Sequence, residues 1–175
     1  MQREGRRAFQ DEYPDDVAHC YGCGRLNEEG HRIKSYWEGE DTIAHFTPRP
    51  YHTAIPGYVY GGLIASLIDC HATGTAAAVA ARAAGWELGI DPVPAGREAP
   101  RFVTASLSVT YKRPTPLGPE LEIRGRPRES SERKVVVDIT VSARSLVTAE
   151  GTVVAVRMPP ELIDSGGHTP PSTRM

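Results

Sequence analysis

The stretch GGLIASLIDCHATGTAAAVAARA, residues Gly61–Ala83, limits what this chain can fold into more than any other. Its alanines and leucines favour helix, and Gly85 stands where a helix should stop. Leu63, Ile64, Leu67, Ile68 and Val79 form a broad apolar face, and Asp69 and Arg82 are the charges it carries. A helix apolar nearly all round must be covered on most sides. The flanking sequence supplies the cover. Residues 33–37 and 42–47 alternate as two strands around the turn Glu38-Gly39-Glu40-Asp41, and four strand-like runs follow residue 100. Strand, strand, long helix, loop and four strands describe an α+β plan, an antiparallel sheet wrapped around one long central helix.

Length bounds the plan to one domain, since 175 residues carry one core and not two. The expected division is an N-terminal arm over residues 1–16, a domain over 17–158 and a tail over 159–175. Net charge is −2, so no basic excess points to nucleic acid. Polar residues interrupt the apolar runs before 18 residues, so no membrane span is expected. The opening MQREGRRAFQDEYPDD is charged and has no apolar centre, which argues against a secretory signal and makes a cytoplasmic location the expectation. Residues 85–100 hold three glycines and three prolines, a loop long enough to serve as a lid or binding loop.

Asp69 is the residue that raises a chemical question. A carboxylate in an apolar helix costs several kcal/mol unless it is partnered. It is either a base facing a site or a group that faces solvent or caps a loop. Gly62, Ser66, Asp69 and Thr73 follow one another at helical spacings and form a stripe of small and polar residues. Cys20-Tyr21-Gly22-Cys23 has metal-knuckle spacing, with His19 and His31 near, but zinc ordinarily needs a second ligand pair, and Cys70 and His71 sit on the helix. The plainer reading is a tight turn, with Gly22 and Gly24 at positive φ and the cysteines as small apolar groups. On that reading no metal and no cofactor are expected.

Four strings in order, CYGCG, TPRPYH, Tyr60-Gly61-Gly62 with Asp69 beyond it, and VTASLSVTYKRP, resemble the hotdog-fold acyl-CoA thioesterases, in the branch of the phenylacetyl-CoA and mammalian acyl-CoA thioesterases. The resemblance spans roughly residues 20–158 and implies a hotdog fold and hydrolysis of an acyl-CoA substrate. It implies a homodimer, or a tetramer of two dimers. It makes Asp69 the general base or nucleophile, gives the oxyanion to the Gly61 N–H, and has Thr104 of the facing subunit hold the water. Free N–H groups at a helix start suit a developing oxyanion.

Tyr60 departs from the family, which keeps a histidine there. Tyrosine keeps a hydroxyl and a ring but does not titrate near neutrality, so a mechanism that needs imidazole at this position is excluded. His52 is then the candidate for the polarising role, the alternative being an exposed loop histidine. Tyr60, Gly62, Ser66, Thr73 and Arg113 join it as candidate substrate contacts, with the acyl chain expected beside Ser66, Thr73 and the 85–100 loop. Lys112, Arg113, Arg126, Arg128, Arg133 and Lys134 are either phosphate ligands for coenzyme A or a solvated face interleaved with Glu122, Glu129 and Glu132. Two rivals to hydrolysis stand. One is a lyase of the hydratase kind, which needs the missing histidine. The other is a non-hydrolytic acyl-CoA or small-ligand-binding protein.

Overall fold

A computed structural model describes residues 6–159 and residue 162. Its elements are β1 (Ser35–Glu38), β2 (Asp41–Phe46), α1 (Gly61–Ala83), β3 (Phe102–Tyr111), β4 (Leu121–Ser130), β5 (Lys134–Ala143) and β6 (Leu146–Arg157). They form a single six-stranded sheet in the order β1-β2-β4-β5-β6-β3, antiparallel at each pairing, with α1 against it. The order of elements along the chain is the one expected, and the turn between β1 and β2 is closed by Gly39 at φ 66°. Gly85 follows α1 at φ 89°, a left-handed position that ends the helix without a Cβ clash.

Alternation in the strands decides which face meets α1. Val135, Val137, Ile139 and Val141, two apart on β5, are all buried, as are Ala149, Val153 and Ala155 on β6. Gly151 interrupts that β6 face where the helix comes closest: a Cβ there would stand 2.8 Å from the Ile68 side chain. Leu67, Ile68, Ala72, Ala76 and Ala77 close the contact from the helix side. By length and composition α1 could also cross a bilayer, a point missed by scanning for uninterrupted apolar runs. Here it is the core helix, two-thirds buried by sheet and loops.

Residues 8–10 are buried, although they belong to the segment expected as a mobile arm. Phe9 packs edge-on against Trp37 with ring centroids 5.6 Å apart. Gln10 is held twice by Ser35, donating to its hydroxyl at 3.0 Å and accepting from its backbone N–H at 2.9 Å. The Ser35 hydroxyl meets His71 Nδ1 at 2.9 Å, and Thr42 meets His71 Nε2 at 3.2 Å and Thr75 at 2.6 Å. This polar chain runs through the core, and burial holds the His71 pKa down at about 4, so the ring is neutral. Residues 1–5, and 160, 161 and 163–175 of the expected tail, lie outside the described residues.

Candidate active site

The first turn of α1 is built by two glycines and two tyrosines. Tyr60 is the N-cap residue, at φ −61° and ψ 128°, and its side chain makes no capping bond. Its ring folds back over Gly62 so closely that a Cβ there would stand 2.3 Å from the ring. Tyr111, at the end of β3, covers the other side and donates to the Gly61 carbonyl at 2.7 Å. The Gly61 N–H meets no acceptor among the described residues, as expected of a helix start. Gly61 lines a cleft of about 370 Å³ together with Tyr111, Lys112, Arg113 and Thr115.

Two turns further along, Asp69 finds its partner in Thr104, whose hydroxyl donates to the Asp69 carboxylate. Helix and strand belong to one chain. Thr104 was expected from a facing subunit, and that expectation does not hold, because β3 lies along α1 in its own sheet. The pairing of β3 with β6 slips between Thr104 and Ser106, and such a bulge turns a side chain out of the regular pleat. Both residues open on a cavity of about 270 Å³ whose further walls include Tyr13, Cys20, Cys70, Thr73 and Arg101.

Gly61 and Asp69 are eight residues apart on one helix, about 12 Å along its axis. They open into different clefts. Gly61 and Asp69 of a single chain therefore cannot both reach one small group.

The remaining candidates separate in space. Thr73 lines the Asp69 cavity, with its hydroxyl turned back on the Asp69 and Cys70 carbonyls at 3.3 and 3.2 Å. Ser66 lies beneath the Gly22 turn instead. The 85–100 loop forms no part of the cavity wall; Trp86, Leu88 and Ala99 tie it to the core, and the N-terminal residues Gln10, Tyr13 and Val17 stand in its place. His52 brings its backbone to the helix start, accepting from the Tyr60 N–H at 2.8 Å. Its ring packs among His31, Phe46 and Tyr51, and Nδ1 accepts from the Arg49 N–H at 3.0 Å. Desolvation, then the Arg49 charge, lowers its pKa.

Of the six basic residues, Arg126, Arg128 and Lys134 are paired with Asp41, Asp138 and Glu129, and Lys112 with Glu150. Arg113 makes no ion pair among the described residues and bonds the Val147 carbonyl at 2.9 Å, beside the Gly61 cleft.

Three residues of the site went unassigned in the sequence: Tyr111, Tyr13 and Arg101. Tyr111 stands inside the quoted strand motif, where strand register alone could have placed it near the helix start. Tyr13 and Arg101 left no signal, since their position depends on how the N-terminal segment closes over the cavity. Gly22 and Gly24 were expected at positive φ, and neither is. They are required by close approach: a Cβ on Gly22 would lie 2.2 Å from Cys70 Sγ, and one on Gly24 would lie 2.5 Å from the Cys20 backbone.

Comparison with known proteins gives concordant results. The family model described as the thioesterase superfamily matches residues 56–150, more than half of the chain. A thioesterase superfamily protein of Shewanella loihica, known from its crystal structure, is 50% identical over 83% of this chain and 98% of its own, with a TM-score of 0.61. The Streptococcus mutans protein smu.793, solved bound to acetyl CoA, is 20% identical over 77% of this chain and 96% of its own at a TM-score of 0.55, a likeness of fold. Acyl-coenzyme A thioesterase THEM4 of Mus musculus is 28% identical over 123 residues, 69% of this chain. The match spans 44% of that relative's length.

Proposed function

Because this chain belongs to the thioesterase superfamily, we propose that it hydrolyses acyl-CoA thioesters, with Asp69 as the base that activates water. The observation that carries the reading is the Asp69–Thr104 pair in the wall of a cavity of about 270 Å³. A carboxylate held by a hydroxyl on one oxygen keeps the other free to take a proton from water. The acyl chain then runs into the cavity past Thr73 and Tyr13. The names of the mouse and Streptococcus relatives, a thioesterase and an acetyl-CoA-bound protein, support coenzyme A as the carrier.

The separation of Gly61 from Asp69 supports a site built from two copies of the chain. The Asp69 and Thr104 of one subunit would work with the Gly61 N–H of the other, which stabilises the oxyanion as the thioester carbonyl is attacked. Tyr60 and Gly62 flank Gly61 in the chain, and Arg113 lines its cleft as the cation there without a carboxylate partner among the described residues. β3 ends the sheet with its outer edge unpaired, and Ser106, Leu107 and Tyr111 are exposed on it. An edge of this kind pairs readily with a second copy.

The test is thiol release from a panel of acyl-CoA substrates. Asp69→Asn should lower turnover by about 10²–10⁴-fold, the usual worth of a positioned base, with fold and assembly unchanged. Full activity in that variant would remove Asp69 from the mechanism. Thermal stabilisation by CoA with no turnover of any substrate would instead favour a binding protein, in which Tyr60 marks lost catalysis.

A further inference from the structure

Cys20 and Cys23 flank a tight turn, and Cys70 reaches it from the middle of α1. The three sulfurs lie within 4.8 Å of one another, with Cys20 and Cys70 3.7 Å apart. All three are free thiols. A tetrahedral zinc ion with Zn–S bonds of about 2.3 Å sets its sulfurs about 3.8 Å apart, well beyond the roughly 2.05 Å of a disulfide. The Cys20–Cys70 distance matches that spacing, and all three sulfurs lie close enough to converge on one ion.

The backbone prepares the same arrangement. Gly24 N–H closes the turn on the Cys20 carbonyl at 2.7 Å. Gly22 has no room for a side chain, because a Cβ would run into Cys70 Sγ at 2.2 Å, so the turn can seat its sulfurs on the helix. His71, the other ligand type nearby, is turned away and held by Ser35 and Thr42. The alternative reading, cysteines as core filling, does not account for Cys20, which is exposed.

We propose that Cys20, Cys23 and Cys70 form a three-thiolate site for a zinc ion. The fourth position opens on the 270 Å³ cavity that also holds Asp69 and Thr104. Each thiol gives up its proton to solvent as its sulfur bonds the ion, with no change of oxidation state. Exposed Cys20 marks the way in, while Cys23 and Cys70 are buried. The ion would lock the CYGCG turn to α1 one residue from Asp69, fixing one wall of the cavity. This site stands on the cysteine geometry and is independent of the hydrolytic reading above.

The experiment uses the full chain, stripped of metal and kept reduced with a phosphine, and titrates it with zinc alone against a chromogenic chelator. One equivalent per chain should be held, and Cys20→Ser should weaken it by more than about 100-fold, beyond the 10–100-fold that losing an outer-shell partner costs. Zinc should raise the melting temperature of the parent and not of Cys20→Ser. Cobalt(II) should give a thiolate charge-transfer band that weakens in that variant. Cys70→Ala gives the same answer from the helix side, and Cys20→Ser keeps the test valid should the buried change prevent folding. Equal zinc affinity in parent and Cys20→Ser, or no zinc held by the reduced parent, overturns the site. So does a cluster that responds to oxidant by forming a disulfide and to zinc not at all.

Discussion

Ser35 is a small residue with a large share of the core's polar wiring. Its hydroxyl joins Gln10 to His71, and its N–H satisfies the Gln10 carbonyl oxygen. Each of these groups is fully buried, so a lost partner cannot be replaced by water. Ser35→Ala should lower unfolding stability by about 1–3 kcal/mol, the penalty for stranding buried polar atoms, and denaturant titration would read it. The same change should loosen the N-terminal segment, since Gln10 is one of the residues that fasten it to the sheet, with Phe9 on Trp37. A loss below the error of the measurement would mean that Gln10 and His71 find other partners. Asp69 shows the converse case. The sequence marked it as an anomaly in an apolar helix, and the structure answers with Thr104 and a cavity that Asp69 lines, so the carboxylate is not buried without a partner.

At the scale of elements, the contact of α1 with β6 depends on Gly151. A Cβ there would stand 2.8 Å from Ile68 Cγ2 and 3.0 Å from the Ser108 carbonyl, and both sides are rigid. Gly151→Ala should therefore destabilise by roughly 1–3 kcal/mol through overpacking, seen as a lower midpoint of unfolding. Gly62→Ala should behave differently although its clash is shorter. Its neighbour is the end of the exposed Tyr60 side chain, which can swing aside, and alanine is the better helix former by about 1 kcal/mol. Stability should hold or rise while activity changes, a split that a melting curve and a thiol-release assay would separate. The helix itself was legible in sequence, from Gly61 to about Ala83, because apolar composition, paired glycines and the Gly85 stop all act locally. The two glycine approaches were not, since each depends on what another segment brings near.

For the whole molecule, the open edge of β3 and the 12 Å between Gly61 and Asp69 lead to one expectation, a dimer whose sites span both chains. Leu107→Lys, on the exposed run of β3, should shift the protein towards monomer in light scattering and lower turnover in proportion. A monomer that kept full turnover would show that one chain suffices and that Gly61 is not the oxyanion donor. Thr104 was expected to hold the water from the facing subunit, and it meets Asp69 within its own chain instead. Strand order explains the error: with β3 at the sheet edge beside β6, it lies along the α1 of its own chain, and no local pattern encodes strand order.

Sequence by itself determined the element order, the wrapped helix, the superfamily and the identity of Asp69 as the residue to explain. These rest on periodicity, composition and short motifs, which survive without knowledge of what touches what. Tertiary structure alone decided that Thr104 meets Asp69 within one chain and that the N-terminal segment, not the 85–100 loop, walls the cavity. It also decided that Cys70 closes on Cys20 and Cys23 across fifty residues. Those contacts join segments distant in the chain, and their geometry follows from how sheet, helix and turn pack together, which no single stretch of residues specifies.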